Sequence, residues 1–167
     1  QLMNAVMKLN LFDRVAHDQI EKILAIAQRR VLAPGAVLCE SNTIDDDLFV
    51  FVDGQLRLES ADGAKLAEMT EVRVIGEMGV FTGQARTSKV VAEVESTVLA
   101  LSRDDLQDLV HDNPDLGQLM LSNLCNLLYG RVYDTNQKME GLRARNEQLR
   151  TRLADLAPDD PLLQASD

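Results

Sequence analysis

Between Leu121 and Leu156 apolar residues recur at alternate spacings of four and three, a pattern that only one face of a long helix satisfies. Leu128, Leu142, Leu149 and Leu156 fall at d, and Cys125, Val132, Met139, Asn146 and Leu153 at a, with Leu121 and Thr135 in the same seam. After Pro114 the next proline is Pro158, so one helix of about 40 residues is predicted. Asn113 is its expected N-cap and Pro114 its first helical residue. At ~1.5 Å per residue the seam is on the order of 50 Å long. Leucine at d with one asparagine at a predicts a parallel two-stranded coil, because two facing amides pair only in register. The flanking e and g positions include Lys138, Arg143, Arg145, Arg150 and Arg152, which set like charges across a homodimer. Glu140, Glu147 and Asp155 offset part of that repulsion along the helix, at about 0.2–0.5 kcal/mol per pair. The expectation is a parallel homodimer through residues 121–156, with an acidic partner helix as the alternative.

Upstream the period changes. Ile20, Ile23, Leu24 and Ala27 place a short amphipathic helix over 18–29, and "LNLFDRV" before it plugs Leu11 and Phe12 into the core. Pro34-Gly35 is a turn that opens a β region. There "LFVFV" (48–52) reads as a strand buried on both faces and "QLRLE" (55–59) alternates, with Asp53-Gly54 as a hairpin turn between them. Asp62-Gly63 marks a second turn before "KLAEM", and "VRVI" (72–75), "SKVVAEV" (88–94) and "TVLAL" (97–101) follow. Short strands at this spacing indicate a sandwich or barrel, not βαβ units. Ser102 then caps a helix that ends near His111, with Asp104 and Asp105 in its first turn. The expected organisation is a β-domain with flanking helices over 1–112, a long dimerisation helix over 113–157 and a polar, frayed tail over 158–167.

Composition narrows the function. With 46% hydrophobic residues the chain can bury a core, and with 4% aromatics and no tryptophan that core is aliphatic. A net charge of -10 opposes binding to nucleic acid or to an anionic membrane by this chain alone. Cys39 and Cys125 both sit among apolar residues and are expected to be buried free thiols in a reducing cytoplasm. Neither a membrane span nor a secretory signal is apparent, and a chain opening on Gln1 is expected to be a portion of a longer protein. His17 and His111 have no metal-ligand spacing, and Asp45, Asp46 and Asp47 lack the glutamate of a calcium loop, so they are expected to form a solvated loop. No nucleophile–base motif is present, and an enzyme is not expected.

The chemistry concentrates in "VIGEMGVFTGQARTSKVVAEV", residues 74–94. Gly76, Gly79 and Gly83 let the backbone approach a ligand and turn without a Cβ penalty, and successive N–H groups in such a turn form an anion nest. Arg86 adds a planar fork that matches two phosphate oxygens, and Thr87 and Ser88 add hydroxyl donors. Glu77 can accept a hydrogen bond from a ribose hydroxyl. By chemistry alone, a surface loop with a Glu–Arg ion pair is the stronger reading.

"IGEMGVF" and "ARTS", with nine residues from Glu77 to Arg86, resemble the phosphate-binding cassette of the cyclic-nucleotide-binding domain family. The resemblance runs from about residue 10 to 142, through the lead-in helix, Pro34-Gly35, Asp53-Gly54 and "NPD" at 113–115. It implies a mainly β fold: a jelly-roll-like, eight-stranded β-barrel with flanking helices, followed by a long coiled-coil helix. It also implies ligand contacts at Gly76, Glu77, Met78, Gly79, Arg86, Thr87 and Ser88. Glu77 would accept the ribose 2′-OH and Arg86 would pair with the cyclic phosphate. Backbone N–H groups near Gly76 and Thr87, with the Thr87 hydroxyl, would complete the cradle. Thr135 and Asn136 look similar to the base-contacting pair of the catabolite-activator branch. The implied ligand is cyclic AMP, with cyclic GMP as the alternative, and no cofactor or metal. The implied role is a bacterial regulatory module signalling through its dimerisation helix. The other reading is the sensory part of a transcription regulator whose DNA-binding domain lies outside this chain.

Overall fold

The computed structural model describes residues 2–156, so the tail expected at 158–167 and residue 157 lie outside the described residues. Within them the chain divides into two units, the first ending at Leu124 and the second beginning at Cys125.

In the first unit a short helix α1 (Leu2–Val6) and a 3-10 turn (Asn10–Phe12) lead into α2 (His17–Ile26). Leu11 and Phe12 are buried as expected. α2 stops at Ile26, short of the expected residue 29, because Ala27 turns extended and the chain enters β1 (Gln28–Leu32). That strand lies on a sheet edge and is almost wholly exposed, so its residues carry no alternation that would have marked it.

Seven more strands follow: β2 (Val37–Cys39), β3 (Asp47–Asp53), β4 (Leu56–Glu59), β5 (Lys65–Met69), β6 (Arg73–Ile75), β7 (Lys89–Ala92) and β8 (Ser96–Ser102). They form two four-stranded antiparallel sheets, in the orders β1-β8-β3-β6 and β2-β7-β4-β5. The expected barrel is therefore resolved as two facing layers, with no ladder joining one sheet to the other among the described residues.

Asp53-Gly54 is not a hairpin turn. β3 pairs with β6 and β8, whereas β4 pairs with β5 and β7, so the turn carries the chain from one sheet to the other. Gly54 (φ 108°) allows that corner: a Cβ there would collide with Ser96, whose Oγ takes the Gln55 N–H at 3.2 Å. Asp62-Gly63 does close a hairpin, with β4 and β5 paired across it.

Phe49 and Phe51 on one face of β3 join Cys39, Leu56, Met69, Val90, Ala92, Val98 and Ala100 in the core. Leu48 and Val50, on the opposite face by strand alternation, are equally buried, so β3 is covered on both sides as its apolar run predicted.

α4 (Arg103–Asp112) starts where expected, with the Ser102 hydroxyl accepting the Asp105 N–H at 3.1 Å. α5 runs unbroken from Pro114 to Leu156. In its first turns Leu116, Met120, Asn123 and Leu124 are buried, and Asn123 Nδ2 donates to the carbonyls of Leu11 (3.1 Å) and Asp13 (2.8 Å). That buried amide ties the lead-in segment to α5.

In the second unit the seam residues Val132, Met139, Leu142, Leu149 and Leu156 are exposed. Cys125 is exposed as well, which corrects the expectation of two buried thiols; Cys39 alone is buried. Apolar neighbours in sequence did not imply burial there.

Candidate functional site

The site is built where β6 ends. Gly76 caps a short helix, α3 (Glu77–Thr82), in the left-handed conformation at φ 85°. A Cβ at Gly76 would overlap the Arg86 guanidinium, lying 2.6 Å from its Cζ. The glycine is therefore required twice, by its φ and by the cation it makes room for. Gly79, one turn on, would bring a Cβ to 3.4 Å from Arg86 Nη1. Glu77 and Arg86 are 3% and 5% exposed, so both charged side chains of the cassette are interior.

Arg86 is held from three directions. Its N–H donates to the Thr43 carbonyl and its own carbonyl accepts the Asn42 N–H, each at 2.8 Å, which straps the loop after α3 to the loop before β3. Its Nη2 lies 3.1 Å from Asp45 Oδ2 and donates to the Asp47 carbonyl. Its Cζ stands 5.6 Å from the centroid of the Phe49 ring. Nε and Nη1 are buried and have no hydrogen-bond partner. Each orphaned donor costs about 1–3 kcal/mol until an acceptor meets it. Charged guanidinium donors of this kind suit the oxygens of a phosphate or carboxylate.

The three aspartates are ion-paired, with Asp46 exposed in the loop before β3 and Asp47 the first residue of that strand. Asp45 pairs with Arg86, Asp46 with Arg103 at 2.8 Å, and Asp47 with Arg30 at 2.7 Å. The pairing was not foreseen, because the partners lie on distant elements that only the fold brings together. Arg103, the first residue of α4, also donates to the carbonyls of Gly79 (2.6 Å) and Val80 (3.1 Å). It thereby fixes α3 from behind and ties it to α4. Asp45, Asp46, Phe49 and Arg103 are the site residues that sequence reasoning missed. The one available signal was three consecutive acids ahead of a fully apolar strand, a charge density that needs counter-ions.

Cys39 lies beside this cluster, its Sγ 3.9 Å from the Ser88 carbonyl. Burial pushes its thiol above the usual range, and the Arg86 charge pulls it partly back.

Of the expected contact residues, the structure brings Gly76, Glu77, Gly79 and Arg86 into one place, with Met78 half-buried on α3. Thr87 is exposed and Ser88 half-buried at the entry to β7. Thr135 and Asn136 belong to the second unit and are exposed. The Thr135 hydroxyl donates to the Arg131 carbonyl of its own helix at 2.8 Å.

A two-layer β-domain that buries an arginine with two unanswered donors, against a glycine that makes room for it, is built to receive a small anionic ligand. The family described as "Cyclic nucleotide-binding domain" matches residues 29–113, more than half of the chain, and the chain belongs to that family. Among solved structures it is similar to the catabolite activator protein of Thermus thermophilus, 26% identical, with a TM-score of 0.70 over 87% of this chain and 67% of that one. It is also similar to the N-terminal domain of a transcriptional regulator from Streptomyces coelicolor A3(2), 27% identical, with a TM-score of 0.69 over 81% of this chain and 94% of that one. Among curated proteins, a cyclic nucleotide-gated cation channel of Ictalurus punctatus is 24% identical over 92% of this chain and 26% of its own length. The chain spans 21–31% of the length of the first curated relatives it matches.

Proposed function

We propose that this chain is a cyclic-nucleotide sensor that takes the cyclic phosphate on Arg86 and the ribose 2′-OH on Glu77. What supports this most is the buried Arg86 guanidinium, whose Nε and Nη1 lack acceptors within a cassette of this family. A cyclic phosphate supplies oxygens to those donors and removes their desolvation cost. Backbone N–H groups near Gly76 and Thr87, with the Thr87 and Ser88 hydroxyls, complete the cradle around Met78 and Gly79.

The preferred base is adenine, contacted by Thr135 and Asn136 of a second copy in a parallel homodimer through residues 121–156. The exposed seam of α5 favours that pairing, since an apolar stripe of this length calls for a partner. Ligand energy then biases how two such helices are placed, to the extent that the nucleotide binds one arrangement better than another. The module works in the cytoplasm, without catalysis of its own. No described helix is long and apolar enough to cross a membrane.

Titrating cyclic AMP and cyclic GMP into the purified chain by calorimetry tests the reading. Binding of cyclic AMP, tighter than cyclic GMP, is expected; heat from neither nucleotide at millimolar concentration would overturn it. A second reading follows from the likeness to the T. thermophilus and S. coelicolor proteins: the sensory part of a transcription regulator. Nucleotide-dependent binding of promoter DNA by the full-length protein distinguishes it.

A further inference from the structure

We propose that Asp45 selects ligands by charge: it keeps the Arg86 slot open to a singly charged phosphodiester and closed to a doubly charged phosphomonoester. The inference rests on the sensor reading above and adds a specificity residue to it.

The slot offers less positive charge than a lone arginine suggests. Asp45 Oδ2 sits 3.1 Å from Nη2, the guanidinium nitrogen that already has acceptors, and leaves Nε and Nη1 unanswered. Glu77 is a second buried carboxylate, next in sequence to the glycine that faces the guanidinium. The other charges packed around the cluster cancel in pairs: Asp46 with Arg103, Asp47 with Arg30, and Glu40 with Lys89 at 3.3 Å. Cys39 stays a neutral thiol, because burial raises its pKa. The two histidines sit at the start of α2 and in the last turn of α4. Arg86 is therefore already paired with one carboxylate, that of Asp45, before any ligand arrives.

A phosphodiester carries one negative charge at every physiological pH. A phosphomonoester carries one below its second pKa of about 6 and nearly two above it. That second charge meets the field of Asp45, and the buried Arg86, already paired with that carboxylate, has no surplus positive charge to offset it. Glu77 is already assigned to the ribose. Asp45 holds the arginine through Oδ2 and the Asp47 N–H through Oδ1 at 3.0 Å, so its carboxylate is fixed in place as the charge filter.

The test compares cyclic AMP with 5′-AMP by calorimetry, at pH 5.5 and 7.5, on wild type, Asp45→Asn and Asp45→Glu. Wild type is expected to favour cyclic AMP more strongly at pH 7.5 than at pH 5.5. Asp45→Asn is expected to narrow the ratio at pH 7.5 by roughly 3- to 30-fold and to leave the ratio at pH 5.5 nearly unchanged; Asp45→Glu restores the wild-type profile. Cyclic AMP binding with a ratio that pH does not move in wild type overturns the charge filter while leaving the sensor intact, and this arm needs no variant to fold. The filter is equally overturned if Asp45→Asn shifts the ratio by the same factor at both pH values, or not at all. Wild type binding neither nucleotide overturns the sensor reading, and the filter with it.

Discussion

Gly76 stands where any other residue would drive a methyl group into the guanidinium of Arg86, and its φ of 85° is one that L side chains rarely adopt. Gly76→Ala is therefore expected to lower unfolding stability by about 1–3 kcal/mol and to weaken nucleotide binding at least tenfold, read by thermal denaturation and calorimetry. Wild-type affinity in that variant would mean the arginine can withdraw from the slot without loss. At this scale much of the site was legible in the sequence. Gly76, Glu77, Gly79 and Arg86 announced themselves by residue type and spacing within one segment of the chain. Asp45 did not, because an acid that pairs with an arginine 41 positions away looks the same, in sequence, as one that faces water. Arg103 was hidden likewise: its acceptors are backbone carbonyls of Gly79 and Val80, which no residue type betrays.

Elements were legible where their period was strong. β3, with its apolar run, and α5, with its seam, appear where the pattern put them. β1 escaped because an exposed edge strand needs no apolar face, and the Asp53-Gly54 corner was misread because turn chemistry does not specify which sheet the next strand joins. α5 carries a further pattern along 125–156. All six basic residues (Arg131, Lys138, Arg143, Arg145, Arg150, Arg152) fall at e or g, whereas Asp134, Glu140, Glu147 and Asp155 fall at b or c. A parallel self-pair sets Lys138 toward Arg143 of a second copy, and Arg145 toward Arg150. Salt screens such repulsion. Self-association measured by sedimentation is expected to tighten several-fold between about 50 and 500 mM sodium chloride, a range over which the Debye length falls below about 5 Å. Dissociation on adding salt, or a monomer at micromolar concentration throughout, would contradict pairing through this seam.

At the scale of the molecule, one helix begins inside the first unit, where Leu116, Met120 and Leu124 are core residues, and continues as the second. Within the first unit, Arg103 holds both the loop before β3 and the cassette helix, so that loop, α3 and α4 are tied together. The most direct measurement is a calorimetric titration of cyclic AMP into wild type and into Arg86→Ala, with circular dichroism to verify that both are folded. The expected result is a loss of about 2–5 kcal/mol in the variant, at least roughly 30-fold in Kd. Equal affinity in the two proteins would contradict the assignment of Arg86 as the residue that receives the phosphate.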